Sequence, residues 1–363
     1  MKYVVEDRKY HFRYAFDTET GAYVRTGVLD KDGKDTGKDP FMASFPHLID
    51  VGVMGHCIHG KTGLCAKAGI GCYQSGLYIG QPNMTVENFR SIAQQCEGKC
   101  NQFALGGRGD PDQHEHFREI LEISREHNII PNFTTSGFGL DKKIADTCKA
   151  LTGAVAVSWY RNEYTLSAID LLLEAGVKTN IHYVLGNNSI DEAIVRLNND
   201  DFPKGINAIV FLLHKPAGQG KAGNVLKYED ERVKAFFDAI EKPHPFKVGL
   251  DSCSSPGIVN FSKAVSLDSV DTCEGGRFSC YIGPDMVMVP CSFDQKMRFA
   301  VQLNSDMTIQ KAWDSQQFEE FRNSLRKSCR ECTQREHCMG GCPLMKDIVL
   351  CRRGEKSWGE GCA

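Results

Sequence analysis

Three cysteines separated by glycines follow the first strongly apolar stretch of the chain. Cys57, Cys65 and Cys72 come directly after the run Leu48 to Met54, and four glycines lie between them. Glycine admits backbone conformations that let a loop fold back, so three thiolates can converge on one point. Three sulfurs from one loop suit an iron–sulfur cluster that keeps one iron open to another ligand. Two other interpretations stay open here: reduced cysteines with no common task, or a zinc site that lacks one ligand.

A second group of cysteines occupies the end of the chain, since ten of the sixteen lie after residue 250. Disulfides are rare in a reducing compartment, so clustered thiols indicate metal or redox chemistry. A zinc ribbon usually has two C-x2-C pairs about 15–20 residues apart, which this crowded pattern fits poorly. The pattern is Cys273-x6-Cys280-x10-Cys291, then Cys329-x2-Cys332-x5-Cys338-x3-Cys342, and later Cys351 and Cys362.

Composition excludes several classes of protein. The 363 residues carry a net charge of −3, so no basic surface indicates binding to nucleic acid or anionic lipid. The N-terminus has charges where a signal peptide has an apolar core, and no uninterrupted apolar run approaches about 18 residues. We therefore expect a cytoplasmic protein with no membrane and no nucleic-acid partner.

The elements that must position these cysteines form a regular alternation. In the segment 85–96, Phe89, Ile92, Ala93 and Cys96 mark one face of a helix. Strand spacing of about 25–30 residues predicts βα units, and six such units predict an α/β fold with a parallel sheet, either open or an incomplete barrel. The predicted strands are 48–53, 101–105, 129–134, 154–158, 179–185 and 208–213, and the helices between them are 85–96, 117–126, 142–151, 165–175 and 190–197.

Three regions follow from this pattern. Residues 1–47 predict a small β element that covers one end of the main domain, which spans 48–240. Residues 241–363 have few long apolar periods and many cysteines, so we expect bound metal to hold this segment together. In such a sheet the active site belongs at the carboxyl ends of the strands, and the cysteine loop follows the first strand at that end.

The cysteine spacing from Cys329 to Cys342 resembles the SPASM domain of radical S-adenosylmethionine (SAM) enzymes, among them anaerobic sulfatase-maturating enzymes and peptide maturases. The resemblance covers about residues 48–363 and implies a partial (β/α)6 TIM-like barrel with a C-terminal iron–sulfur domain. It implies two auxiliary [4Fe–4S] clusters. The first would be held by Cys273, Cys280, Cys291 and Cys342, and the second by Cys329, Cys332, Cys338 and either Cys351 or Cys362. Met286 stands where the family has a glycine.

The resemblance also implies where SAM binds. The segment Leu105 to Pro111 looks like the family's glycine-rich Glu-Pro motif, which binds the amino group of SAM, with aspartate in place of glutamate. Several polar residues at strand ends could touch substrate or the SAM carboxylate, or could equally be structural. They are Asp50, Arg108, His182, His214 and Lys215. The implied SAM-binding residues are Tyr73, Gly107, Gly109, Asp110, Ser136, Ser158 and Lys215.

One departure concerns the first cluster. Most family members have C-x3-C-x2-C, whereas Cys57, Cys65 and Cys72 have the spacing C-x7-C-x6-C. The longer loop still permits three ligands because the entropy of loop closure grows slowly with length.

The resemblance implies three [4Fe–4S] clusters, about twelve irons, with SAM cleaved to a 5′-deoxyadenosyl radical that removes a hydrogen atom from a substrate. Relatives mostly modify peptides or proteins and take electrons from a flavodoxin or ferredoxin, so a peptide or protein substrate is expected. A small-molecule substrate is the alternative, and a non-catalytic electron carrier is the alternative of another class. Cys96, Cys100, Cys148 and Cys253 are expected to be incidental thiols, with Cys253 a possible hydrogen-atom donor.

Overall fold

The fold is described from a computed structural model, which covers residues 2–59, 63–74, 80–267, 270–325, 332 and 334–351. Two sheets are formed in this part of the chain. The N-terminal sheet is antiparallel and consists of β1 (Lys2–Asp7), β2 (Phe12–Asp17) and β3 (Tyr23–Arg25). It packs on the end of the larger sheet, where Tyr3 Oη donates to Asn101 Oδ1 at 2.8 Å. This segment forms a small β element, and its role in covering the main domain stays a prediction.

The large sheet has ten strands in the order β10-β9-β8-β7-β6-β5-β4-β11-β12-β13. All neighbours from β10 to β11 are parallel, whereas β11, β12 and β13 pair antiparallel. The strands are β4 (Leu48–Met54), β5 (Gln102–Gly107), β6 (Ile130–Thr135), β7 (Val155–Ser158), β8 (Thr179–Leu185), β9 (Ala208–Leu213), β10 (Lys247–Leu250), β11 (Ser279–Ile282), β12 (Val287–Val289) and β13 (Val301–Gln302).

Helices cover one face of this sheet with their apolar stripes, as the predicted amphipathic patterns require. In Val86–Cys96 the buried residues are the four that the sequence pattern singles out. Among the described residues, no helix is long and apolar enough to cross a bilayer. The helices are α1 (Leu64–Lys67), α2 (Val86–Cys96), α3 (Phe117–Glu126), α4 (Lys142–Leu151), α5 (Glu163–Glu174), α6 (Ile190–Asn199), α7 (Glu231–Ile240), α8 (Ser255–Phe261), α9 (Ile309–Trp313), α10 (Gln316–Ser324) and α11 (Arg335–Cys338).

The two faces of the sheet differ in polarity. Strand side chains alternate between faces, and those facing the helices, such as Ile49 and Val51, are fully buried. On the other face many side chains are only partly buried, and several of them are polar. On that face Asn132 Nδ2 donates to Gln102 Oε1 at 2.9 Å, and Thr134 Oγ1 lies 3.2 Å from His182 Nδ1. The sheet therefore has a dry face and an accessible polar face.

The six predicted strands and the helices between them are confirmed, and so is the α/β fold with a large parallel sheet. Two parallel strands are additional. β10 is short, partly exposed and follows Pro243 and Pro245, so it has no strong apolar pattern. β11 pairs with β4 although Ser279 and Leu48 are far apart in the chain. No local pattern predicts such a pairing.

The C-terminal segment shares the main hydrophobic core. Ile282, Met288, Trp313 and Leu350 belong to the same buried cluster as the residues of β4. The Trp313 indole donates to the carbonyl oxygen of Ala43 at 2.9 Å. The expectation that bound metal holds this segment together therefore needs an addition, because apolar packing on the main sheet stabilises it as well. The domain boundaries at 47 and 240 stay predictions.

Replacing Ile282 with alanine tests whether the C-terminal segment and the main sheet unfold as one unit. Ile282 is fully buried on β11, so we expect Ile282→Ala to lower the free energy of unfolding by about 2–5 kcal/mol. Denaturant unfolding should show a single cooperative transition at lower denaturant. Val195→Ala, at a 58% exposed position, should change the free energy by less than about 0.5 kcal/mol. A separate early transition for Ile282→Ala would show that the segment folds independently.

Candidate functional site

The cysteine loop leaves β4 at its carboxyl end, as predicted, and brings its three thiols near one another. Cys65 lies in the short helix α1, and its Sγ is 3.4 Å from Tyr160 Oη. Burial raises the pKa of the Cys65 thiol to about 11, and the nearby Cys72 and Cys57 thiols raise it as well. Because electrostatic effects of this kind act over short distances, Cys57 and Cys72 are both neighbours of Cys65.

The loop after β9 fixes the position of Cys72. Gln219 N–H donates to the Cys72 carbonyl oxygen at 2.9 Å. Gly218 has φ 57°, and a Cβ at this position would lie 2.5 Å from the carbonyl oxygens of both Cys72 and Tyr73. Only glycine permits such an approach of two backbones. The loops after the first and sixth predicted strands therefore meet at the third cysteine.

The glycine-rich segment after β5 packs against the other end of the same loop. Gly107 has φ 113°, and a Cβ there would lie 2.6 Å from the Met54 carbonyl oxygen. A Cβ on Gly109 would lie 2.6 Å from the His56 carbonyl oxygen, next to Cys57. The glycines predicted to approach SAM thus have a structural task already, since they allow this segment to contact the cysteine loop.

Asp110 joins three segments at the carboxyl ends of the strands. Its Oδ1 accepts from the Ser136 N–H at 3.0 Å, and its Oδ2 accepts from Ser136 Oγ at 2.5 Å. His59 Nε2 lies 2.8 Å from Asp110 Oδ2 and 2.9 Å from Ser136 Oγ. The carboxylate thereby links the cysteine loop, the glycine-rich segment and the end of β6.

Two residues of this region escaped the sequence analysis. His59 stands two positions after Cys57, and this close spacing of cysteine and histidine was the available signal. Tyr160 follows β7, and it contacts Cys65 on one side and the Ser158 hydroxyl on the other. Burial raises the pKa of Tyr160 well above its ordinary value, and Cys65 adds to this effect. No pattern marked Tyr160, because its role depends on the fold.

Lys215 is buried, and its charge is paired. Its Nζ donates to Asp251 Oδ2 at 2.5 Å and to the Leu213 carbonyl oxygen at 2.9 Å, and lies 4.8 Å from the centre of the Phe293 ring. Burial disfavours the ammonium, but Asp251 outweighs this effect and raises the Lys215 pKa above its ordinary value. The neighbouring His214 Nε2 lies 3.1 Å from the Lys221 carbonyl oxygen, a structural contact.

Tyr73 lies between the cysteine loop and the C-terminal segment. Its ring centre is 4.6 Å from that of Phe293, which follows Cys291 by two residues. Burial raises the Tyr73 pKa, and both Cys72 and Cys291 act in the same direction. One face of this aromatic pair therefore adjoins Cys72, and the other adjoins the cysteines of the tail.

The cysteines predicted to form the first auxiliary ligand set are not all brought together. Cys291 has Cys273 as an electrostatic neighbour, and both thiols have raised pKa values, chiefly through burial. Cys342 contacts Cys253, a thiol expected to be incidental. Cys280 lies instead on β11 within the main core, where its electrostatic neighbours include Cys100 and Asp50.

For the second auxiliary set, Cys332, Cys338 and Cys351 are described, whereas Cys329 and Cys362 lie outside the described residues. Within the residues that the structure describes, no three His, Cys, Asp or Glu side chains are close enough as they stand to hold a metal ion. The donor chemistry nevertheless fits iron–sulfur clusters, because each described cysteine is a free thiol. Cluster binding would thus require thiol side chains to rotate toward each other.

Asp50 lies on the polar face of the sheet, close to the cysteine loop. It is partly buried on β4, beside Tyr281 of β11 in the paired register. Burial raises the pKa of Asp50 to about 7. On the same face burial lowers the pKa of His182 to about 4, so this imidazole is neutral at neutral pH. At neutral pH His182 therefore adds no charge to this face, whereas Asp50 is partly ionised.

Comparison with solved structures defines the class of fold. SuiB from Streptococcus suis bound to the precursor peptide SuiA aligns over 97% of this chain and 100% of that chain, with a TM-score of 0.67 and 14% identity. Native anSMEcpe with bound AdoMet and Cp18Cys peptide aligns over 86% of this chain and 95% of that chain, with a TM-score of 0.61 and 17% identity. SuiB bound to S-adenosylmethionine aligns over 86% of this chain and 78% of that chain, with a TM-score of 0.63 and 15% identity. The chain shares their fold.

The second finding concerns the tail. Residues 273–333 match the family model of SPASM, described as an iron-sulfur cluster-binding domain. No curated protein sequence matches the chain. The predicted SPASM resemblance and the predicted partial-barrel fold are confirmed. The matched range contains Cys273, Cys280, Cys291, Cys329 and Cys332. The ligand role of each cysteine, including the three of the cysteine loop, stays a prediction.

Gly218→Ala tests the contact that holds Cys72 in place. The added methyl group would meet two carbonyl oxygens, and alanine is strained at φ 57°. We expect a loss of about 1–3 kcal/mol in the free energy of unfolding and faster amide hydrogen exchange in residues 72–74. Gly223→Ala is the matched control, because a Cβ at Gly223 meets no atom within 4 Å. Equal exchange rates in both variants would contradict the contact.

Asp50→Asn tests the buried carboxyl group through the dependence of stability on pH. The pKa of about 7 in the folded state exceeds the ordinary value of 3.8, so the folded state binds this proton more tightly. Stability is therefore lost as pH rises from about 4 to 7. Asp50→Asn removes this loss and should be about 1–4 kcal/mol more stable than the parent at pH 8, but not at pH 4. Asp170→Asn, on the exposed side of α5, should show no such difference between the two pH values.

Proposed function

We propose that this protein is a radical SAM enzyme that oxidises or cross-links a peptide or protein substrate. The observation that carries the proposal is that the thiols of Cys57 and Cys72 both act electrostatically on Cys65, in the loop that follows β4 at its carboxyl end. The fold is shared with structures that contain AdoMet, and the tail matches an iron–sulfur cluster-binding domain. An electron carrier would need neither this six-unit α/β domain nor the glycine-rich segment beside the cysteines.

In this proposal the three thiolates would hold a [4Fe–4S] cluster and leave one iron for SAM. With one electron from an external donor, this pair would supply radical chemistry: SAM would be cleaved to methionine and a 5′-deoxyadenosyl radical able to take a hydrogen atom from the substrate. The protein positions both and excludes water. The Tyr160 hydroxyl lies 3.4 Å from Cys65 Sγ, and a hydroxyl at this position could donate to a thiolate sulfur and stabilise it. The C-x7-C-x6-C spacing works here because the loops after β5 and β9 support the two ends of the cysteine loop.

The proposed SAM site lies between the cysteine loop and the strand ends. Gly107 keeps the backbone of the glycine-rich segment close to Met54, and Gly109 keeps it close to His56 and Cys57. This segment would therefore adjoin a cluster held by Cys57. Asp110 is held by Ser136 and His59, an arrangement that fixes the orientation of its carboxyl group toward an ammonium group. Tyr73, Ser158 and Lys215 are proposed contacts from the surrounding loops.

A peptide substrate is proposed on two grounds. The polar face of the sheet is accessible and carries side chains able to bond a peptide backbone, such as Asn132 and Asn180. Two structures with this fold hold a peptide, SuiA in one and Cp18Cys in the other. Two further [4Fe–4S] clusters in the tail and an electron donor such as a flavodoxin or ferredoxin complete the proposal.

Replacing Cys57, Cys65 and Cys72 together with alanine tests the proposed site. We expect protein purified without oxygen to lose about four of about twelve irons and all reductive SAM cleavage, measured as 5′-deoxyadenosine formed with dithionite. Cys148→Ala is the control, since Cys148 is buried in α4 and away from the loop. It should keep the full iron content and its activity. SAM cleavage by the triple variant would refute the assignment of the site.

A further inference from the structure

We infer that Cys253 holds the first auxiliary cluster together with Cys273, Cys291 and Cys342, and that Cys280 is a core thiol outside the ligand set. The inference rests on the proposed function only in taking the tail to bind iron–sulfur clusters. It assigns a role to a cysteine that the spacing of the tail leaves out. It also removes one that the spacing includes.

Cys253 occupies a fixed position at the carboxyl end of β10. It lies in the turn Ser252–Ser254, directly after Asp251. The Asp251 carboxylate accepts from the Leu213 N–H at 3.2 Å, from Ser254 Oγ at 2.9 Å and from Lys215 Nζ at 2.5 Å. This network anchors the turn to β9. The Cys253 thiol thus lies at the carboxyl end of its strand, as the cysteine loop does.

The other three cysteines reach this turn from two directions. Ser255 Oγ donates to the Asp271 carbonyl oxygen at 3.1 Å, which brings the segment before Cys273 to the turn. A Cβ on Gly275 would lie 3.4 Å from the Cβ of Cys291, so Cys291 adjoins the segment after Cys273.

From the other direction, Asn260 Nδ2 of α8 donates to the Leu350 carbonyl oxygen, and a Cβ on Gly257 would lie 3.0 Å from Leu350 Cδ1. These contacts bring the chain that follows Cys342 to α8, the helix after the turn. The thiols themselves interact in agreement with this packing: Cys253 with Cys342, and both Cys273 and Cys291 with Cys253.

Cys280 points in another direction for a reason that lies in the sheet. It pairs with Ile49 in the parallel register of β11 and β4, and it is 2% exposed. Ile49 faces the helices and is fully buried, so Cys280 faces them too, whereas Tyr281 faces the polar side. Side chains alternate along a strand, so bringing Cys280 to the polar side would require a one-residue change of register. That change would expose Ile282 and break the pairing with β4.

Lys215 gives the assigned set a favourable charge. Four thiolates around a [4Fe–4S] core carry net negative charge in either common oxidation state. The Lys215 ammonium is an electrostatic neighbour of both Cys253 and Cys291 and is already desolvated, with Asp251 as its only carboxylate partner in the described residues. A buried cation beside a buried anion lowers the cost of placing both there.

The test counts irons in the Cys57, Cys65 and Cys72 triple alanine variant, where only the tail's clusters remain. That parent should hold about eight irons after purification and reconstitution without oxygen. Adding Cys253→Ala should remove at least one iron per chain and up to about four, with a three-iron electron paramagnetic resonance signal where one iron is lost. Adding Cys280→Ala should leave about eight irons. Because Cys280 is buried, Cys280→Val serves as a second variant that fills its site.

Loss of iron from both Cys280 variants, or full iron content in the Cys253 variant, would overturn the assignment. Circular dichroism and the unfolding midpoint identify a variant that has failed to fold. The count is independent of SAM chemistry. If the assigned pattern of iron loss is found while the unmodified chain fails to cleave SAM, the proposed function fails and the ligand assignment stands. If the triple alanine parent holds no iron, the tail binds no cluster, and both the proposed function and the ligand assignment are refuted.

Discussion

The close approach of backbones around the cysteine loop is the constraint on which the site depends. The spacing of the three cysteines is long, and the described part of the loop contains one short helix, α1, of four residues. Contacts with two neighbouring loops also hold the ends of the cysteine loop. Gly109 contacts the His56 carbonyl group at one end, and Gly218 contacts the Cys72 and Tyr73 carbonyl groups at the other. A side chain on either glycine would prevent these contacts. The loops after β5 and β9 therefore hold the two ends of the cysteine loop.

The same constraint supports the proposed ligand role of the three cysteines at the spacing C-x7-C-x6-C. With a short spacing the loop itself can define the ligand geometry. With C-x7-C-x6-C the entropy of the longer loop must be offset by contacts to the rest of the protein. Asp110 contributes such contacts through His59, a residue within the loop, and through Ser136 at the end of β6. These contacts connect the loop to the strand ends and stabilise its conformation.

Much of the fold could be predicted from the sequence because its signals are local. An apolar run such as Leu48–Met54 can only be a buried strand, and the stripe of Phe89, Ile92 and Cys96 can only be one face of a helix. The SPASM resemblance was equally local, since it rested on spacing. Membership of a ligand set is different. The spacing of the tail includes Cys280 and leaves out Cys253, because spacing does not show the face of β11 on which Cys280 lies. That face is set by pairing with β4, a contact between distant parts of the chain.

The pairing of β11 with β4 also has a consequence for synthesis. β4 is the first strand of the large sheet to leave the ribosome, but one of its two partners begins at Ser279. Until then that side of β4 presents unpaired amide and carbonyl groups along an apolar strand, an arrangement that invites pairing with other chains. Contacts between such distant residues also slow folding. Prompt completion of translation, or a chaperone, would shorten the time for which the strand before the cysteine loop is left unpaired.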